Sequence, residues 1–121
     1  MATVNLTAET FQRTVDDNDI VLLDFWASWC GPCRTFGPIY EQVSEGHDDI
    51  VFGKIDTEAE QLLAGQFGIR SIPTLMIIRD GVAVFSQPGV VPAEALEDLI
   101  GQVRALDMEQ IHREIAEAQT A

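Results

Sequence analysis

The chain has 121 residues, 46% of them hydrophobic, which suits one domain with its own core. Twenty acidic residues against seven Lys and Arg give a formal net charge of -13, which argues against nucleic acid and anionic membranes as partners. No apolar stretch reaches the roughly 18 residues of a bilayer span, and Met1 to Leu6 has neither the basic start nor the apolar run of a leader, so a cytoplasmic location is expected.

Val4-Asn5-Leu6 reads as a short strand, and Thr7 can cap a helix that runs through Phe11 and Val15 and ends at Asp16-Asp17-Asn18-Asp19. Ile20 to Trp26 is the clearest buried strand. Its continuous apolar character suits a place covered on both faces, which makes Asp24 an anomaly. Phe36, Ile39, Tyr40 and Val43 recur at helical spacing, so a helix is expected from about Pro32 to Glu45, kinked at Pro38 and ending near Gly46. Ile50 to Ile55 reads as a second strand, parallel to the first by the crossover rule.

Glu60 to Phe67 is a short helix with Leu62, Leu63 and Phe67 expected on one side. Two apolar runs, Leu75–Ile78 and Val82–Phe85, flank Asp80-Gly81 and predict a β-hairpin. A helix from about Pro92 uses Ala95, Leu96, Leu99, Ile100 and Val103. The outline is an α/β domain with a central mixed sheet and helices on both faces. A last helix starts at Leu106-Asp107, with Asp107 as N-cap, Gln110 three residues on, and Met108, Ile111 and Ile115 on one face. The expected division is residues 1–105 as the domain and 106–121 as a helical extension, packed on it or free for a partner.

Cys30 and Cys33, the only cysteines, stand three apart in Trp29-Cys30-Gly31-Pro32-Cys33. Such a pair can be a structural staple, a metal half-site or a redox centre. A staple is most effective when it closes a long loop. A zinc site needs four ligands, and His47 and His112 are lone residues in unrelated segments, both assigned to solvent. A redox pair is the reading that remains favoured. A helix beginning near Pro32 places unpaired N–H groups and a positive dipole end beside Cys30, which favours its thiolate. Cys30 is therefore the expected nucleophile, as the more exposed thiol before the helix, and Cys33 the buried resolving thiol. Burial of Asp24 should raise its pKa and let it exchange a proton with Cys33. Trp26 is expected to pack beneath the site. Arg34 and Arg70, the nearest basic residues, can hold anionic substrate groups, with surface solubility as the simpler account.

Over roughly residues 4–104 the chain resembles the thioredoxin family. Phe25-Trp26-Ala27-Ser28-Trp29-Cys30-Gly31-Pro32-Cys33 is similar to the family signature with a variation at Ser28. Asp24 falls on its buried aspartate, Lys54 on its lysine, Ile72-Pro73-Thr74 on its cis-proline loop, and Gly89 on the glycine flanking the active surface. On this resemblance Lys54 can pair with Asp24 and moderate its pKa shift. The resemblance implies a thioredoxin fold and a protein-disulfide reductase that binds no cofactor and is recharged by an external thioredoxin reductase. It also overrides the general preference for a trans bond before Pro73. Trp29, Gly31, Pro32, Ile72, Pro73, Gly89 and Val90 would then receive an extended substrate segment, with main-chain pairing at Ile72. No metal and no oligomer are expected. The competing reading is a binding or chaperone module, or a partner subunit, that uses the same surface without redox turnover.

Overall fold

The computed structural model describes residues 2–120; Met1 and Ala121, the outer limits of the expected domain and extension, lie outside the described residues. Five strands form one sheet in the order β1-β3-β2-β4-β5. They are β1 (Thr3–Asn5), β2 (Ile20–Trp26), β3 (Val51–Asp56), β4 (Thr74–Arg79) and β5 (Val82–Pro88). Strand β3 runs parallel to both β1 and β2, whereas β4 is antiparallel to β2 and β5 to β4. The helices are α1 (Ala8–Asp17), α2 (Gly31–Ser44), α3 (Gln61–Gln66), α4 (Ala93–Arg104) and α5 (Met108–Thr120).

Helices cover both faces, as the apolar run of β2 requires. Strand alternation sends Leu22 to one side, where it packs with Phe36 and Tyr40 of α2, Leu96 and Ile100 of α4, Phe52 and Ile77. Val21, Leu23 and Phe25 go to the other side and meet Val15 of α1, Leu63 and Ala64 of α3, and Ile55. Asp24 shares the parity of Leu22, so it lies on the α2 face. Gly53, inside β3, lies against Leu6, and a side chain there would collide with it.

Local chemistry sets the boundaries. The Thr7 N–H donates to Thr10 Oγ1 at 3.0 Å at the start of α1. The turn residues Asp80 and Gly81 have φ of 49° and 79°, the left-handed pair that matches the twist of a two-residue hairpin. Helix α2 continues as one element through Pro38, which lacks the N–H that the Arg34 carbonyl would otherwise accept.

Several side chains depart from the expected pattern. Leu62 is 84% exposed, because it and Leu63 are adjacent and therefore about 100° apart on a helix; Leu63 and Ala64 take the buried side. Ala95 is exposed, and Ala93 packs on the core in its place. His47 is not a solvent residue: its ring stacks on Phe52 at 6.2 Å, and it lies between Glu97 and Arg104 of α4. A guanidinium only donates, so the bond from Arg104 to Nδ1 leaves Nε2 as the nitrogen that donates to Glu97. His112 is exposed.

In α5, Asp107 caps the helix through the Gln110 N–H at 3.1 Å, while the Gln110 side chain turns forward to Glu114 rather than back to the cap. Met108 is buried, Ile111 is half-buried and Ile115 is 37% exposed, so contact with the domain fades along the helix. Arg79, at the end of β4, holds the α4–α5 junction. Its Nη1 donates to the carbonyls of Val103 at 2.7 Å, Leu106 at 3.0 Å and Arg104 at 3.2 Å, placing a cation on the negative end of α4.

Arg79→Met keeps an unbranched apolar stem and removes these donors. It is expected to lower stability by about 1–3 kcal/mol, the size of charged hydrogen bonds lost from part-buried acceptors. Urea denaturation checks this, and a midpoint equal to wild type would show that solvent satisfies the junction equally well.

Candidate active site

The site forms where β2 ends and α2 begins. Cys30 is the N-cap of α2, with extended φ and ψ of -86° and 114°, and the Cys33 N–H donates to Cys30 Sγ at 3.2 Å. Cys30 and Cys33 are joined as a disulfide. The first turn of α2 thus directs an N–H group and its dipole end at the sulfur of Cys30. Pro32 fits this turn because its missing N–H needs no partner there.

Exposure does not separate the two cysteines as expected. Cys30 is 4% and Cys33 6% exposed, since the Cys30 sulfur lies beneath the loop before β4. Its Sγ is 3.6 Å from the carbonyl of Ile72. Position separates them instead: Cys30 caps the helix and faces this loop, whereas Cys33 sits inside the first turn and lines a recess behind it.

The Ile72–Pro73 peptide bond is cis. Pro73 is buried and its carbonyl accepts from the Gly89 N–H at 2.8 Å, which ties the end of β5 to the proline loop. Gly89 has a φ of 98°, a conformation that side-chain-bearing residues rarely adopt. Around the disulfide, Trp29 is 65% exposed, Val90 is 38% exposed, Gly31 and Pro32 are exposed, and Ile72 is half-buried. Of these, Ile72 packs against Cys30 and Cys33.

Behind the disulfide, Trp26 packs with Ala27, Cys30 and Cys33, and its carbonyl accepts from both the N–H and the hydroxyl of Thr57. Asp24 is 1% exposed, and its Oδ1 finds no hydrogen-bonding partner in the protein. Burial raises its pKa from 3.8 to about 6, and the charge of Lys54 opposes that rise. Lys54 is the register partner of Asp24 on β3. Among the described residues, however, it makes no ion pair with Asp24. Its ammonium lies 5.0 Å from the centre of the Trp26 ring, a cation–π distance, and acts on the carboxylate through space.

A recess of about 500 Å3 opens beside this group, lined by Trp26, Cys33, Arg34, Lys54 and Glu41 among others. Glu41 is occupied by Ala2 N–H and Thr3 Oγ1, and the hydrogen bond from Thr3 holds its pKa low. Helical spacing marks Tyr40 only as an apolar residue of α2. The structure places it fully buried with its hydroxyl donating to Gly53 O at 2.9 Å, and burial, followed by the nearby charge of Asp24, raises its pKa well above the ordinary value. A tyrosine rather than phenylalanine at a core position is the available signal, since a buried hydroxyl needs an acceptor.

Among the described residues no group of three or more His, Cys, Asp or Glu is placed to hold a metal ion, and no helix is long and apolar enough to cross a membrane. The chemistry available at the centre is reversible closure and opening of a disulfide.

Comparison with known proteins agrees with that chemistry. The family model for thioredoxin matches residues 2–102. A putative thioredoxin 2 of Streptomyces coelicolor is 59% identical over 118 residues, which is 98% of this chain and 88% of that one, so the alignment takes in most of α5. The thioredoxin of Bacillus subtilis is 40% identical over 103 residues, covering 84% of this chain and 98% of its own. A solved mutant thioredoxin from Halobacterium salinarum superposes with a TM-score of 0.78 at 36% identity, over 86% of this chain and 91% of that one. A helix-capping Cys30-Cys33 disulfide facing a cis-proline loop, within a sheet and sequence of this kind, assigns the chain to the thioredoxin family of protein-disulfide oxidoreductases.

Proposed function

We propose that this oxidoreductase works in the cytoplasm as a monomeric reductant of protein disulfides, with Cys30 attacking and Cys33 resolving. The observation that carries the assignment is the place of Cys30 at the N-cap of α2, where the Cys33 N–H points at its sulfur. In the dithiol form that field favours a thiolate at Cys30. The thiolate attacks one sulfur of a substrate disulfide, and the other substrate sulfur leaves as a thiolate that takes up a proton. Cys33, deprotonated, then attacks Cys30 Sγ, expels the second substrate thiolate and closes the Cys30–Cys33 bond. Two electrons pass to the substrate. A thioredoxin reductase is the proposed source of the two that restore the dithiol.

Asp24 is the proposed acceptor of the Cys33 proton, directly or through water in the adjoining recess; a pKa near 6 makes it a base at neutral pH without the full weakness of an ordinary carboxylate. Lys54 tempers its pKa. Trp29, Gly31, Pro32, Ile72, Pro73, Gly89 and Val90 form the docking surface, and the Ile72 main chain pairs with an extended substrate. We read residues 106–121 as an extension packed on the domain, because Met108 is buried and Arg79 binds the junction. Its removal is expected to lower the thermal midpoint without changing the hydrodynamic mass, and a shift in mass would point to a partner role.

Cys33→Ser should accumulate a stable mixed disulfide between Cys30 and a protein substrate, visible on non-reducing gels. Cys30→Ser should abolish reduction. Retained function in the Cys30→Ser protein would mean that binding alone suffices.

Asp24→Asn should keep the fold and slow the resolving step. In wild type that step should lose rate as pH falls through about 6, and the Asn variant should lack this inflection. Stability moves the opposite way. The folded pKa lies above the unfolded one, so the contribution of neutral Asp24 is complete below about pH 4 and lost as pH rises through 6. The loss is about 2–3 kcal/mol for a shift of this size. Asp24→Asn should therefore be more stable than wild type at pH 7–8 and equal to it at pH 4, which paired denaturation curves would show or refute.

A further inference from the structure

We infer that Tyr40 is a positioning residue for the proton exchange at Asp24: its hydroxyl pins the peptide group that carries Lys54, and so sets how strongly that ammonium acts on the buried carboxylate. This rests on the reading above of Asp24 as the acceptor of the Cys33 proton. Tyr40 is fully buried in α2, and its hydroxyl donates to the Gly53 carbonyl at 2.9 Å. That carbonyl belongs to the peptide group joining Gly53 to Lys54, the register partner of Asp24 on β3. Gly53 has no side chain to brace this peptide, Leu6 leaves no room for one, and a glycine backbone is the freest to rotate. The Tyr40 ring is itself held, edge-on to Phe52 with centroids 5.3 Å apart and tilted against Phe36 at 5.6 Å. A helix-borne anchor thus fixes β3 at the point from which Lys54 reaches the Trp26 ring, its Nζ 5.0 Å from the ring centre.

Packing alone does not account for the hydroxyl, since Phe36 and Phe52 fill the same cluster without one. The hydroxyl is bound to Gly53 and not to Asp24, whose Oδ1 has no partner in the protein. Burial, and then the charge of Asp24, hold the Tyr40 pKa well above its ordinary value, so it stays a neutral donor and does not itself carry the proton. What it can change is the field at Asp24. On this side of the sheet Cys33, Arg34 and Glu41 of α2 line the recess together with Lys54. Glu41 is bound by Ala2 and Thr3, and Asp56, two residues beyond Lys54 on β3, accepts from the N–H groups of Glu58 and Ala59. Strand β4 sets Leu75 opposite Asp24, and α4 brings only Leu96, Ile100 and Val103 to this core as buried residues. Lys54 is therefore the charge through which a shift of β3 reaches the carboxylate. An ammonium released from its place lies nearer water, where its field is weaker, and Asp24 keeps its proton to higher pH.

The test is Tyr40→Phe in the full-length protein, with the Asp24 carboxyl followed by carbon NMR and release of a disulfide peptide from Cys30 followed by rapid mixing, between about pH 5 and 8. Both midpoints should rise together by about 0.5–0.7 pH unit, which slows the resolving step at pH 6 by about twofold to threefold and leaves it unchanged near pH 8. In a Lys54→Met background the hydroxyl should make no further difference, an outcome that a general loss of packing would not produce. An unmoved midpoint in Tyr40→Phe, or an equal shift with Lys54 already removed, overturns the inference. Tyr40 is the only tyrosine in the chain, so 3-fluorotyrosine labels it alone and gives a measurement that does not depend on the Phe variant folding. Its fluorine resonance should move on Lys54→Met at about pH 4, where Asp24 is protonated. A resonance indifferent to Lys54 would overturn the coupling. Absence of any inflection near 6 in wild type would instead remove the Asp24 reading, and the inference with it.

Discussion

The position of β2 at the centre of the sheet is the constraint on which the site depends. β2 is hydrogen-bonded to β3 on one side and β4 on the other, and helices pack on both of its faces. A slip of one residue would exchange its two apolar sets and carry Asp24 to the face of α1 and α3. With the register held, Leu22, Asp24 and Trp26 share the α2 side, and the chain leaves β2 directly below the first turn of α2. The cysteines thus inherit their position from the packing of the sheet. The proline loop enters β4, the neighbour of β2, so the same sheet brings Ile72 to the sulfur of Cys30.

The elements most legible in the sequence are those whose patterns answer to one local rule. The limits of β2 follow from an unbroken apolar run, and the hairpin from Asp80-Gly81, where both residues take positive φ. What escapes such a reading is decided by neighbours distant in sequence. Leu62 and Leu63 look equivalent until α3 is set against the sheet, which accommodates one of them. His47 reads as a solvent residue because nothing nearby in sequence binds it, yet its partners Glu97 and Arg104 lie 50 and 57 residues away. At the site, the buried carboxylate of Asp24 can be anticipated from one acidic residue in an apolar strand. The burial of Cys30 cannot, because its cover is supplied by a loop 42 residues further on. Lys54 illustrates the same limit: strand register places it beside Asp24, but the side chain settles over the Trp26 ring.

That placement of Lys54 bears on how the carboxylate is tuned. A close ion pair would hold Asp24 ionised and leave it a weak base, whereas full isolation in the core would keep it protonated at neutral pH. A cation held on an aromatic face, near enough to be felt and not near enough to bind, gives an intermediate outcome with the pKa at about 6. The unpartnered Oδ1 carries a cost in folding that an uncharged core residue would not incur. Such a cost is consistent with the proton exchange proposed for Asp24.

The basic residues divide along the same line between architecture and chemistry. Arg79 binds the carbonyls at the α4–α5 junction, Arg104 joins α4 to Asp49 and His47, and Arg113 stands near Glu109 within α5. These three are engaged by partners far from the disulfide or on their own helix. Arg34, Lys54 and Arg70 instead line the two recesses that flank the cysteine pair. Of seven basic residues in a chain with twenty acidic ones, only Arg13 belongs to neither group. A random scatter of so few cations over an acidic surface would leave the redox face negative. Three of the seven therefore stand at the recesses beside the disulfide, where they offset the charge of the carboxylates nearest to it, Asp24 and Glu41.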